Sequence, residues 1–339
     1  MTKKSSRRGR VTLQDVANHA GVSRATASLI VRNSPKVADK TREKVLKSME
    51  ELGYVYDRVA ANLRSQSSST IGTIITDVGN TFFAQFLLGV HRELEKYGYT
   101  VLLGTTFDSL KDQERLISTM LENRVGGILL CPVSASSTET VERIKKLDIP
   151  VVVGIRELPN LTCDYVGLDY TEGAYMAVNH LIEKGHKRIA FIGGISDSTT
   201  WQERMDGYRI AHEEAGIPID HSLILDSEPT REGGLEVIQQ LMNQENPPKA
   251  IFCFSDLIAF GAIIGLRKMG LTPGEDIDIV GFDNIPEAEI SYPPLTTISS
   301  FAKKTGTTAA NLLHKRISEP KRDRQRIILE PELIKRESS

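Results

Sequence analysis

Two short helix signals separated by a single glycine, between Thr12 and Arg32, constrain the chain more than any other stretch. Thr12 is a good helix N-cap, and Asp15 three residues later makes a capping-box variant. Leu13, Val16, Ala17 and Ala20 then fall on one helical face. Gly21 ends that helix, because glycine takes the left-handed conformation at low cost. Ser23 caps a second helix, for which Ala27, Ile30 and Val31 supply an apolar face. A third helix is expected from about Lys40, with Val45, Met49 and Leu52 inward and Gly53 as its stop. Capped helices joined by a tight glycine turn form a helix-turn-helix. Its second helix offers Arg24, Ala25, Thr26 and Ser28 at the N-terminal end, where such a helix meets base edges in a major groove.

The same pattern would also fit an ordinary helical hairpin inside a larger core, and charge decides between the two. Residues 1–65 hold fourteen Lys and Arg against six Asp and Glu, a net of +8. The whole chain carries −2, so the remainder carries −10. A basic head on an acidic body is the footprint of a nucleic-acid-binding protein. No apolar run approaches the roughly 18 residues of a membrane span. No signal-peptide core follows the basic leader Thr2 to Arg10, so a cytoplasmic protein is expected. Cys131, Cys163 and Cys253 are scattered and odd in number, which points to buried reduced thiols.

From Ile71 onward the pattern changes to short apolar runs alternating with amphipathic stretches. Strands are expected over residues 71–78, 100–105, 127–133, 151–155, 165–168, 188–193, 222–225, 250–254 and 278–282. Helices are expected over 82–97, 110–123, 138–147, 171–184, 203–215, 231–243 and 257–269. This alternation implies parallel sheets covered on both faces. The strands are too many for one comfortable sheet, so the body divides into two α/β lobes, with a ligand cleft at the carboxyl ends of the strands. No phosphate loop, nucleophile elbow or zinc motif is present in the 339 residues, and nothing demands an enzyme or a cofactor.

Several motifs occur in order: Thr12-Leu-Gln-Asp-Val-Ala, Ala20-Gly-Val-Ser, Glu51-Leu-Gly-Tyr, Ser255-Asp-Leu-Ile-Ala-Phe-Gly, Val280-Gly-Phe-Asp-Asn-Ile-Pro and Pro294-Leu-Thr-Thr-Ile. Together they resemble the LacI/GalR family of bacterial transcription regulators over Val11 to Lys335. The resemblance implies a small all-α helix-turn-helix headpiece over 1–57 and a hinge helix and linker over 58–70. It further implies a two-lobed, periplasmic-binding-protein-like α/β core over 71–339. The N-lobe would take about 71–168 and 298–326, the C-lobe about 169–297 and 327–339. The implied partners are a palindromic operator duplex, a small effector of the sugar class and a second copy of the chain. A sugar-binding transport component would share the core, but would need a signal peptide and no basic helix-turn-helix.

The family's DNA-facing positions fall on Thr12, Ser23, Arg24, Ala25, Thr26, Ser28, Leu29 and Arg32 in the headpiece. In the hinge they fall on Arg58, Asn62, Leu63 and Arg64. Leu63 matches the leucine that wedges into the minor groove. Leu29 stands where many members carry arginine, which implies a different operator preference. For the effector the resemblance points to Asn80, Phe82 and Phe83 after the first core strand, to Trp201 and Arg204, and to Asp256. An arginine and a carboxylate facing one another across a cleft can fork hydrogen bonds onto vicinal hydroxyls, or can form a buried interlobe ion pair. Some members place an aromatic ring near Pro229; here the stretch reads Glu228-Pro-Thr-Arg, so that wall differs.

Overall fold

A computed structural model describes residues 11–31, 34–55 and 68–339 and divides the chain into two compact units, Met1–Ser67 and Ser68–Ser339. Arg32, Arg58, Asn62, Leu63, Arg64 and the expected hinge helix lie outside the described residues.

The first unit holds α1 (Leu13–Ala20), α2 (Arg24–Val31) and α3 (Asp39–Leu52). Thr12 closes a reciprocal capping box: the Asp15 N–H donates to Thr12 Oγ1 at 3.3 Å, and the Thr12 N–H to Asp15 Oδ2 at 2.8 Å. Gly21 takes φ +61°, and the amides of Gly21 and Val22 satisfy the carbonyls of Asn18 and Ala17. The turn is tight because Ser23 caps α2 at once, its Oγ accepting the Thr26 N–H at 3.0 Å. Val16, Ala17, Ala20, Ala27, Ile30 and Val45 are buried together, with Leu13, Met49 and Leu52 packed around them. Val31, assigned to the same face from sequence, is half-buried.

The second unit contains two six-stranded sheets. The first runs β11 (Arg326–Leu329), β5 (Asp164–Leu168), β4 (Val151–Gly154), β3 (Gly127–Leu130), β1 (Thr70–Ile75), β2 (Thr100–Thr105), all parallel. The second runs β12 (Glu332–Ile334), β10 (Thr296–Ser299), β9 (Asp278–Asp283), β8 (Ala250–Cys253), β6 (Ile189–Ile192), β7 (Ile224–Leu225), parallel except for β12 against β10. Strands β3, β4, β5, β6 and β8 are buried at every residue, as sheets covered on both faces require. The covering helices of the first lobe are α4 (Thr81–Lys96), α5 (Leu110–Glu122), α6 (Thr138–Lys145) and α12 (Ala302–Ser318). Those of the second are α7 (Tyr170–Glu183), α8 (Thr199–Glu214), α9 (Arg231–Met242) and α10 (Asp256–Lys268), with the short α11 (Glu287–Ile290). Helices α4 and α12 approach backbone to backbone: a Cβ on Gly89 would collide with the Lys303 carbonyl, and one on Gly306 with the Phe86 carbonyl. Cys131, Cys163 and Cys253 are buried and free. No helix among the described residues is long and apolar enough to cross a membrane.

The chain passes between lobes three times, after Leu168, Ser299 and Leu329. The boundaries expected at 297/298 and 326/327 therefore shift. Strand β10 belongs to the second sheet through Ser299, and β11 pairs with β5 through Leu329. These strands have only four residues each, too few for alternation to mark an end. Two further elements differ from the sequence expectation. Only the second half of residues 222–225 is strand, Ile224–Leu225; the first half belongs to a 3₁₀ turn, His221–Leu223, capped by Asp220. Helix α8 starts at Thr199 rather than Glu203, because Ser198 Oγ accepts the Trp201 N–H at 3.2 Å.

Candidate functional site

On the first unit, Ser23, Arg24 and Ala25 are exposed at the start of α2, and Thr26 and Ser28 are half-buried. The Thr26 hydroxyl is paired with Ser23 Oγ at 2.9 Å. The first turn of α2 contains no acidic residue, so the positive end of the helix dipole and the Arg24 guanidinium are not neutralised within the helix. Leu29 is 39% exposed. Thr12 is exposed, and its hydroxyl is committed to Asp15 at 2.7 Å.

In the second unit a cavity of about 270 Å³ lies between the lobes, lined from the carboxyl ends of both sheets. The first lobe supplies Asn80, Phe82 and Phe83 after β1, Phe107 and Asp108 after β2, and Arg156 after β4. Asn80 caps α4, its Oδ1 accepting the Phe82 N–H at 2.9 Å, which leaves its amide donors for a ligand. Phe82 and Phe83 meet edge to face with centroids 5.1 Å apart. Asp108 accepts from Arg156 Nη1 and from the Ser134 N–H and hydroxyl, at 3.1 and 2.6 Å. Ile155, just before Arg156, has φ +72°, and the Arg156 N–H donates to the Gly154 carbonyl at 2.9 Å. A β-branched residue in that region is strained, and such strain gathers at binding sites.

The second lobe supplies Tyr170, Ser198, Thr200, Arg204, Phe254, Ser255 and Asp283, with Glu228, Pro229 and Thr230 on one wall. Arg204 is 3% exposed. Its guanidinium carbon lies 3.9, 4.4 and 4.6 Å from the ring centroids of Phe282, Phe254 and Tyr170, a cation–π cage that fixes it. Its Nη1 donates to the Thr200 carbonyl at 2.9 Å, while Nε has no partner among the described residues. Nη2 is 4.0 Å from Asp283 Oδ1, too far for a direct hydrogen bond. Burial pushes the Asp283 carboxyl up to about 7, although Arg204 pulls the other way. Burial likewise lowers the Arg204 pKa against the pull of Asp283. The two groups thus form an unfinished ion pair, each with hydrogen-bonding capacity aimed into the cavity.

Of the residues expected at this site, Asn80, Phe82, Phe83 and Arg204 come together, and Trp201 and Asp256 do not. Trp201 is a core residue, its indole donating to the Gly193 carbonyl at 3.2 Å and its ring stacked on Phe191. Asp256 is fully buried and outside the lining. It occupies the first turn of α10, where its oxygens accept from the Thr297 hydroxyl and the Ile285 N–H. The cleft carboxylate is Asp283, which the sequence does not single out although its motif is visible there. The signal was its place as the last residue of β9, at the carboxyl end of a parallel strand. Asp108 and Arg156 were missed for a different reason: single residues in loops carry no period.

Comparison with known proteins places the chain among relatives. Residues 12–57 match the model of the bacterial regulatory proteins of the lacI family, and residues 178–339 that of a periplasmic binding protein-like domain. The HTH-type transcriptional regulator DegA of Bacillus subtilis is 33% identical over 332 residues, covering 97% of this chain and 98% of that protein. Catabolite control protein A of Priestia megaterium is 35% identical over 312 residues, 90% of this chain and 92% of its own. Among solved structures, the transcriptional regulator CelR–cellobiose complex is 32% identical with a TM-score of 0.74, over 97% of this chain and 100% of that one. The lac repressor dimer bound to operator and an anti-inducer, at 24% identity and a TM-score of 0.85 over 97% and 99%, shares the fold. The chain belongs to the lacI family of bacterial regulatory proteins.

Proposed function

We propose that this DNA-binding transcription regulator acts in the cytoplasm as a dimeric repressor whose hold on a palindromic operator is set by a sugar-class effector in the interlobe cleft. The observation that carries this reading is the caged Arg204 held 4.0 Å from Asp283 in an aromatic-walled cavity. A polyol hydroxyl pair suits that gap: one hydroxyl accepts from the guanidinium while another donates to the carboxylate. The flanking Phe82, Phe254 and Tyr170 suit the apolar face of a sugar ring. Cellobiose and ribose are named as bound to two relatives of similar fold.

On DNA, Arg24 and Ala25 would read base edges, with Thr12, Ser23, Thr26, Ser28, Leu29 and Arg32 lining the contact. Arg58, Asn62, Leu63 and Arg64 would form the minor-groove element. The test is a thermal-shift screen of sugars, with hits repeated in an operator gel shift across salt. The reading requires a sugar that both raises the melting temperature and moves operator affinity, with log affinity falling linearly against log salt. A flat salt plot would remove the DNA arm; a sugar screen without hits would remove the effector arm. For the hinge, Leu63→Gly is expected to weaken operator binding while sparing random DNA, and equal losses on both would refute the wedge.

A further inference from the structure

Asp256 reaches neither solvent nor the cleft, yet one of its oxygens binds the turn that carries Asp283 and the other binds a β10 hydroxyl that itself binds that turn. Oδ2 accepts the Ile285 N–H at 2.9 Å, and Oδ1 accepts the Thr297 hydroxyl at 2.5 Å. Thr297 Oγ1 in turn accepts the Asn284 N–H at 3.4 Å. Two successive amides of the turn after β9 are therefore tied, one directly and one through a hydroxyl, to a single buried carboxylate. That turn needs tying. Asp283 has φ +115° and Asn284 φ +51°, two consecutive non-glycine residues in the left-handed half of the map. Such backbone persists only where its surroundings over-determine it. The space for the carboxylate is built in as well, since a Cβ on Gly281 would collide with Asp256 Oδ1. Arg336 Nη2 grips the turn from the other side, through Asn284 Oδ1 at 2.9 Å.

We infer that Asp256 and Thr297 are positioning residues for effector recognition: without touching the ligand, they hold the strained Asp283–Ile285 turn so that the Asp283 carboxylate faces Arg204. This rests on the cleft being the effector site. A carboxylate buried only to fill the core would not reach two successive amides of one strained turn, one directly and one through a hydroxyl. The arrangement also gives Asp256 a role that its exclusion from the cavity would otherwise deny it.

The test combines two readouts on the full chain. Amide hydrogen exchange over residues 281–290 is compared between wild type, Asp256→Asn, Thr297→Val and Thr297→Ser. Binding of ribose and of cellobiose is measured by calorimetry in the same proteins and in the Asp283→Asn background. Thr297→Val should speed exchange in the turn and weaken sugar binding by roughly tenfold or more, and Thr297→Ser, which restores the hydroxyl, should recover both. In the Asp283→Asn background Asp256→Asn and Thr297→Val should add less than about twofold, because the group they position is gone. Unchanged exchange in folded Thr297→Val, or losses that multiply fully in the double variants, would overturn the inference. If wild type binds neither sugar, the proposed effector class fails, while the exchange comparison still decides whether Asp256 and Thr297 hold the turn.

Discussion

Asp283 concentrates the chemistry of the cleft in one titratable group. Its carboxyl would ordinarily titrate near 3.8, and burial lifts it to about 7. Between those values the native protein holds a proton that the unfolded chain has released, so the contribution of Asp283 makes stability fall as pH rises from about 4 to about 7, then level off. Asp283→Asn should remove that slope, which for one group is at most about 1.4 kcal/mol per pH unit. Chemical denaturation of both proteins between about pH 5 and 7 measures it, and parallel stability curves would show that Asp283 does not titrate there. Asp256 shares the direction of shift, from burial first and then from the Asp283 charge, so the difference between the two proteins reports Asp283 together with its coupling to Asp256. On the headpiece, Arg24→Ala should cost operator binding about 1–3 kcal/mol and relax preference at one base pair. Retention of full discrimination among operator variants would exclude Arg24 as a base reader.

At the scale of elements, the headpiece was readable because each signal is local. Thr12, Gly21 and Ser23 sit at fixed offsets, and the structure uses all three as caps or stops. Its core is small: among the described residues of its apolar cluster, Val16, Ile30 and Val45 are the buried side chains larger than alanine. Ile30→Ala should therefore cost about 2–5 kcal/mol, a large share of what a small domain holds, and abolish operator binding at moderate temperature. A loss below about 1 kcal/mol by thermal denaturation would mean that the three helices do not share one core. The body was readable as alternating strands and helices up to Phe282. Beyond it, β10, β11 and β12 have three or four residues each, and α12 returns to the other lobe, a pairing that no local pattern encodes. The cleft was half legible for the same reason. Asn80, Phe82, Phe83 and Arg204 lie in motifs, whereas the choice between Asp256 and Asp283 depends on which way a side chain turns at a strand end. Asp256 turns under β9 and β10, and Asp283 turns toward Arg204.

Across the whole molecule, three crossings after Leu168, Ser299 and Leu329 join the lobes around the cleft, and the tie to the DNA-binding unit leaves from the start of β1. A ligand that bridges Arg204 and Asp283 on one lobe with Asn80, Asp108 and Arg156 on the other favours one lobe spacing over others. It can shift operator affinity only by its preference between those states. The most direct measurement of this claim is operator affinity titrated with the sugar found in the thermal-shift screen, for wild type and Asp283→Asn. In wild type a saturating sugar should change operator Kd by roughly 5- to 150-fold, the span of ordinary allosteric coupling. Asp283→Asn should bind operator as wild type does without sugar and show little or no change with it. An equal sugar response in the variant, or a sugar that binds the wild-type cleft tightly and leaves operator affinity unmoved, would contradict the account.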